Sequence, residues 1–183
     1  MKKPDTNSKI HIHALVTVII MIFIFVQSAL PSDLSQQESG VIVSFLSNFL
    51  WTDSELLSFV VRKCAHFAEY TLLGWSLALT VADYLERMRT GGRDVPSGGQ
   101  PGGSNRAKPG DLRGAQIIAP WLIGTAYAVT DEIHQYFVPG RSCEVRDVVI
   151  DSCGVLVGAL IVAKLARRAP KGSCGPESEQ EIQ

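Results

Sequence analysis

Residues 10–30 read IHIHALVTVIIMIFIFVQSAL, 21 positions with no charged side chain and only His11, His13, Thr17, Gln27 and Ser28 polar. A helix rises about 1.5 Å per residue, so this run crosses a bilayer core of roughly 30 Å. A signal peptide is the competing reading, because Lys2, Lys3 and Lys9 precede the run. Against it, the stretch is long for a signal's apolar core. Pro31-Ser32 also follows Leu30 without a small-x-small cleavage pattern.

The remaining sequence extends the pattern. Of 183 residues, 46% are hydrophobic and 19% charged, and 17 Lys+Arg against 18 Asp+Glu leave a net charge of −1. That balance argues against bulk nucleic-acid binding, and the gathering of apolar residues into runs argues against a soluble globular enzyme. Further runs cover 59–85, 114–137 and 145–166. They carry ionisable residues, but their stretches 72–82, 117–129 and 155–163 still read as membrane. The expected fold is all-α, an integral membrane bundle of four transmembrane helices. The alternative count is three spans with a peripheral helix.

Charge then orients the chain. Residues 1–9 hold three Lys/Arg, 83–113 hold six and the tail from Lys164 holds four, together 13 of the 17. By the positive-inside rule both termini are cytoplasmic. Residues 31–58, the first external loop, carry Asp33, Glu38, Asp53 and Glu55 and no Lys or Arg.

The expected organisation is a cytoplasmic N-terminus (1–9), a membrane domain (10–168) and a disordered cytoplasmic tail (169–183). The Gly/Pro/Ser-rich segment 89–110 reads as a flexible cytoplasmic linker. In the external loop, Val41, Ile42, Phe45, Leu46, Phe49 and Leu50 recur at helical spacing. They predict a short interfacial helix anchored by Trp51, although packing on the bundle would give the same pattern. Val138-Pro139-Gly140 has the order of a type II turn, joining the last two spans in a tight external hairpin.

Charges inside the spans carry the functional signal. Arg62, His66, Glu69 and Tyr70 form one stripe of the second span, beside Lys63. The third span ends with Asp131, Glu132, His134 and Gln135, and the fourth begins with Arg146, Asp147 and Asp151. With alternating crossings, all of them fall in the outer half of the membrane. A charge at a helix centre costs roughly 2.5–3.5 kcal/mol on insertion scales. Helix-to-helix ion pairing is one explanation. Packing alone needs only small residues such as Gly154-x-x-x-Gly158 and Gly124-x-x-x-Ala128, so an outward-facing polar cavity is the preferred one.

Such a cavity permits several chemistries. His66, Glu69 and Asp131 are the acid–base candidates. His66-x-x-Glu69 and Asp131-x-x-His134 could also place metal ligands, but patterns this short recur by chance, and no metal or cofactor is expected. Arg62, Arg141 and Arg146 have the fork that suits phosphate or carboxylate. No phosphate-binding Gly-rich loop, nucleophile elbow or His-Glu-x-x-His motif is present. Cys64, Cys143, Cys153 and Cys174 are spaced for neither a zinc site nor a redox pair. His11 and His13 read as interfacial.

Three blocks resemble the VanZ-like family of bacterial membrane proteins: Arg62-Lys63-Cys64-Ala65-His66-Phe67-Ala68-Glu69-Tyr70, Thr130 to Arg141, and Arg146-Asp147 with Asp151 and Gly154. They stand in the family's order and spacing. Several members carry Asn where this chain has Asp151, and 89–110 looks like an insertion. The resemblance implies a multi-pass protein of the bacterial plasma membrane, in a family whose namesake is linked to low-level teicoplanin resistance. Teicoplanin's acyl chain holds it at the outer membrane surface, where its lipid-linked target also lies.

The first expectation is therefore an envelope protein that modulates resistance to teicoplanin-type lipoglycopeptides. Its pocket, for a lipid-linked or anionic headgroup, would draw on Arg62, Lys63, His66, Glu69, Tyr70, Asp131, Glu132, Gln135, Arg141, Asp147 and Asp151. The alternatives are an intramembrane hydrolase or transferase acting on an envelope lipid, and a structural partner of envelope-synthesis proteins. Membrane lipids, a lipid-linked cell-wall precursor and lipoglycopeptides are the expected partners, and nucleic acid is not.

Overall fold

The computed structural model describes residues 6–31, 43, 54–91 and 109–168. Among them are four helices and no strand: α1 (Thr6–Ala29), α2 (Ser54–Gly91), α3 (Pro109–Gln135) and α4 (Val145–Arg168). Each apolar run nearly coincides with one helix. Residues 1–5, 92–108 and 169–183 lie outside the described residues. So does the expected interfacial helix except Val43, which is buried.

Local chemistry accounts for the helix ends. Pro31 follows closely on α1 and could not continue it with a backbone N–H. Pro109 opens α3, where the missing N–H is no loss. Asp147 sits in the first turn of α4 and Arg167 and Arg168 in its last, each matching the sign of the helix dipole. The hairpin between α3 and α4 is the turn the sequence predicts. Arg141 N donates to Val138 O at 3.2 Å, and Gly140 has φ 76°, the left-handed value that type II requires after Pro139.

Contacts between the helices show that they alternate in direction. Residues 13 and 17 of α1 meet residues 83 and 76 of α2, and Ile24 joins a core cluster with Tyr70 and Leu73, an antiparallel order. Residues 21 and 28 of α1 meet residues 127 and 131 of α3, a parallel one. Likewise α4 runs with α2, Lys63 meeting Asp147 and Ala78 clustering with Ala159 and Val162. The C-terminal ends of α1 and α3 and the N-terminal ends of α2 and α4 therefore share one end of the bundle.

The most extensive interface is between α2 and α4, and it depends on glycine. A Cβ on Gly158 would collide with the Thr71 carbonyl oxygen and lie 2.6 Å from Trp75 N. One on Gly154 would lie 2.7 Å from Phe67 O, and one on Gly74 would strike the backbone of Val155. Backbones this close gain dispersion contacts along their length, the main attraction between helices when the surroundings are as apolar as the side chains. Gly124 extends the arrangement to α3, since a Cβ there would meet Val155 Cγ1 at 2.6 Å. Around this seam lies a core of Ile24, Tyr70, Leu73, Leu77, Ala128 and Val155.

Much apolar surface stays outside. Ile12, Leu15, Ile19, Ile22, Leu72, Ile118, Leu122 and Val149 are all about half exposed or more. A soluble monomer rarely leaves so much uncovered. By length and composition, two helices could cross a membrane, 7–29 and 145–168.

Candidate functional site

The shared end of the bundle is polar and shielded. Asp131, Glu132 and Asp151 are 3%, 2% and 3% exposed, and Tyr70 is wholly buried. Helical spacing explains the convergence from within each element. Lys63, His66, Glu69 and Tyr70 repeat at intervals of three and four on α2, as do Asp131 and Gln135 on α3 and Asp147 and Asp151 on α4.

Asp131 is central. Its Oδ2 accepts from Ser28 Oγ at 2.8 Å and from Gln135 Nε2 at 3.0 Å, and Gln135 Nε2 also reaches Ser28 Oγ at 3.3 Å. Its other oxygen, Oδ1, is buried with no hydrogen-bond partner. Ser28 is the contributor that sequence reasoning overlooked. Its only signal was a polar side chain near the end of an otherwise apolar helix.

The cations have separate tasks. Lys63 Nζ donates to Asp147 Oδ2. Arg141 caps α1, donating from Nε to Leu30 O and from Nη2 to Gln27 O, each at 3.0 Å. Burial lowers the Arg141 pKa from its ordinary value, opposed by the Asp131 charge. Arg146 is more than half exposed and pairs with Glu144 at 2.6 Å, 3.9 Å from Asp147 Oδ1. Arg62 is half-buried. Glu132 Oε2 accepts the backbone N–H of Glu144 at 2.9 Å, tying the hairpin to α3.

Ion pairing covers part of the cluster, through Lys63 with Asp147 and Arg146 at 3.9 Å from the same carboxylate. His66 Nδ1 and Glu69 Oε2 are 3.6 Å apart, within ion-pair range but too far for a hydrogen bond, and neither buried atom has a hydrogen-bond partner. Asp131 Oδ1, His134 Nε2 and Asp147 Oδ1 likewise lack a hydrogen-bond partner, while the Tyr70 hydroxyl faces Asp131. The His134 ring stacks on Phe25 of α1 with centroids 4.4 Å apart. Among the described residues, no three His, Cys, Asp or Glu side chains come together as a metal-ligand set.

Next to the cluster, a groove of about 380 Å³ opens between α2 and α4, walled by Phe59, Val60, Phe67 and Ile150 and flanked by Lys63 and Arg146.

The sequence model of the VanZ/LLP1 family matches residues 13–167, a stretch that contains the entire cluster and all but the ends of the helices. The chain belongs to the VanZ/LLP1 family. Membership, with two helices long and apolar enough to cross a bilayer, marks a VanZ-like membrane protein. No curated protein and no solved structure matches the chain.

At the opposite end of this VanZ-like bundle is a second polar seam. His13 Nδ1 lies 2.6 Å from Asp83 Oδ2, and Thr17 Oγ1 and Ser76 Oγ share a hydrogen bond of 2.7 Å. The sequence reading placed His13 at an interface without a partner, because a residue 70 positions away leaves no local trace.

Proposed function

We propose that this VanZ-like protein crosses the bacterial plasma membrane four times, with both termini cytoplasmic. On this reading it modulates susceptibility to teicoplanin-type lipoglycopeptides through the polar cluster at its outer end. Four buried side-chain atoms support this most directly: His66 Nδ1, Glu69 Oε2, Asp131 Oδ1 and Asp147 Oδ1. They come from three helices and none has a hydrogen-bond partner. A polar atom left unpaired in a buried site costs stability, and a bound polar ligand would supply the missing partners.

The proposed ligand is a lipid-linked or anionic headgroup. Lys63, with Arg62 beside it, meets the anion. His66, Glu69, Tyr70, Asp131, Glu132, Gln135, Asp147 and Asp151 shape the site, and Arg141 positions α1 against it. An intramembrane hydrolase or transferase is the second reading. It is favoured by the His66–Glu69 spacing of 3.6 Å, which a modest side-chain rotation would turn into an acid–base pair.

The test of function uses a susceptible Gram-positive host expressing wild type, Asp131→Asn or an empty vector at matched membrane levels. Wild type is expected to raise the inhibitory concentration of teicoplanin but not of vancomycin, and Asp131→Asn to return it to the vector value. An unchanged teicoplanin value with wild type well expressed would sink the antibiotic reading. A lipid product made by wild type and absent with His66→Gln would put the enzyme first.

Topology is tested by Cys143, exposed in the α3–α4 hairpin. In a variant keeping only this cysteine, a membrane-impermeant maleimide is expected to label intact cells fully. Labelling only after the membrane is opened would reverse the orientation.

A further inference from the structure

The groove between α2 and α4 differs in kind from the cluster. Its walls are apolar, and both of its cations gather around one ring. Lys63 Nζ and the Arg146 guanidinium carbon each lie 5.3 Å from the centroid of Phe59. Lys63 joins the two features, reaching Asp147 on its inner side and Phe59 on its outer one. The volume of about 380 Å³ is within the ~300–1,000 Å³ usual for small-ligand sites.

We propose that this groove holds a membrane glycerophospholipid, with one acyl chain along Phe59, Val60, Phe67 and Ile150 and its phosphate between Lys63 and Arg146. The inference rests on the membrane-spanning placement proposed above and is independent of the antibiotic effect. Charge complementarity selects the occupant. An apolar slot beside two cations matches an amphiphile with an anionic head and a hydrocarbon tail, and neither half alone fills it. Arg146 is free to exchange partners, because its pair with Glu144 is 58% and 42% exposed, the kind of surface pair that contributes little. The N-terminal end of α4, where Arg146 lies, adds its dipole in the sense that favours a phosphate. The ligand class for the larger site follows: a lipid reaching the cluster sideways from the outer leaflet, its head beside Lys63.

Native mass spectrometry of the detergent-purified full chain tests this with dioleoyl phosphatidylglycerol, dioleoylglycerol and glycerol phosphate as probes. Wild type is expected to retain the phospholipid roughly tenfold better than the phosphate-free diacylglycerol, about the effect of one charge-assisted hydrogen bond. Glycerol phosphate, lacking a chain, should not compete. Arg146→Gln should narrow the preference severalfold, and Val60→Trp, which fills the slot, should abolish retention of both lipids. Both variants keep Lys63 and Asp147, Arg146→Gln gives up only the 3.9 Å approach to Asp147 Oδ1, and circular dichroism checks that each remains helical.

Equal retention of the two lipids, undiminished binding by Val60→Trp, or displacement by glycerol phosphate would each overturn the proposal. If lipid retention fails while Asp131→Asn still abolishes the teicoplanin effect, the groove assignment alone is wrong. Retention without a teicoplanin effect supports the groove and removes only the antibiotic reading.

Discussion

Gly158→Leu is expected to leave little folded protein in the membrane. The three heavy atoms nearest a Cβ at this position, Thr71 O, Trp75 N and Gly74 C, are all backbone. A side chain could rotate out of the way, but a helix backbone cannot, so α2 and α4 must separate along their length. Overpacking a core typically costs about 1–3 kcal/mol, and a clash with backbone belongs at or above the top of that range. In lipid the loss is not offset by a hydrophobic drive to keep the helices together. The readout is the monodisperse fraction in detergent on size-exclusion chromatography together with the thermal midpoint. Gly158→Ala should fall between the two, and Gly114→Leu should behave as wild type, since a Cβ at Gly114 meets nothing within 4 Å. A wild-type profile for Gly158→Leu would mean that the α2–α4 interface is looser than its geometry indicates.

The second large effect belongs to Lys63. Lys63→Met takes the near cation from the Asp147 carboxylate and leaves only Arg146 at 3.9 Å, and the Asp147 side chain is only 15% exposed. Breaking one side of a buried pair costs about 3–5 kcal/mol, and the residual exposure of Lys63 and Asp147, 24% and 15%, puts the expected loss near the lower figure. Asp147→Leu should cost a similar amount by stranding Lys63. Lys63→Met/Asp147→Leu together should recover most of the stability, because no unpaired charge remains. The coupling appears as non-additive thermal midpoints in a double-mutant cycle. Additive losses would show that the two side chains act separately. The double variant also separates folding from function, being stable yet without the cation proposed to meet the headgroup.

Much of this architecture was legible in the residues. Each helix announces itself through an apolar run longer than 20 residues, although the expected linker 89–110 gives up its ends to α2, which runs to Gly91, and to α3, which starts at Pro109. The type II turn at Pro139-Gly140 and the close packing at Gly154 and Gly158 follow from backbone sterics at single positions, which local sequence expresses directly. Shared faces were equally readable, because helical spacing places Glu69 and Tyr70, or Asp147 and Asp151, on one stripe whatever the neighbours are.

Partnerships were not readable in the same way. Sequence suggested Arg141 as an anion grip, whereas the folded chain applies it to the carbonyls of Leu30 and Gln27. Ser28 gave no reason to expect a bond to Asp131, 103 residues away, nor His13 to Asp83. The count of charges, nearly balanced between cations and carboxylates, also pointed to wider pairing than the structure contains.

Residue patterning alone specified the four helices and the residue types near one end of the bundle, although α2 and α3 each begin five residues before their apolar runs. These depend on length, spacing and local sterics. It took the folded bundle to set Lys63 against Asp147, to place Arg141 on the carbonyls of α1, and to leave buried atoms of His66 and Glu69 without hydrogen-bond partners. Those outcomes depend on how far apart the helices sit and how each is rotated. Both are set jointly by the glycine contacts of α2, α3 and α4, and no single helix encodes them.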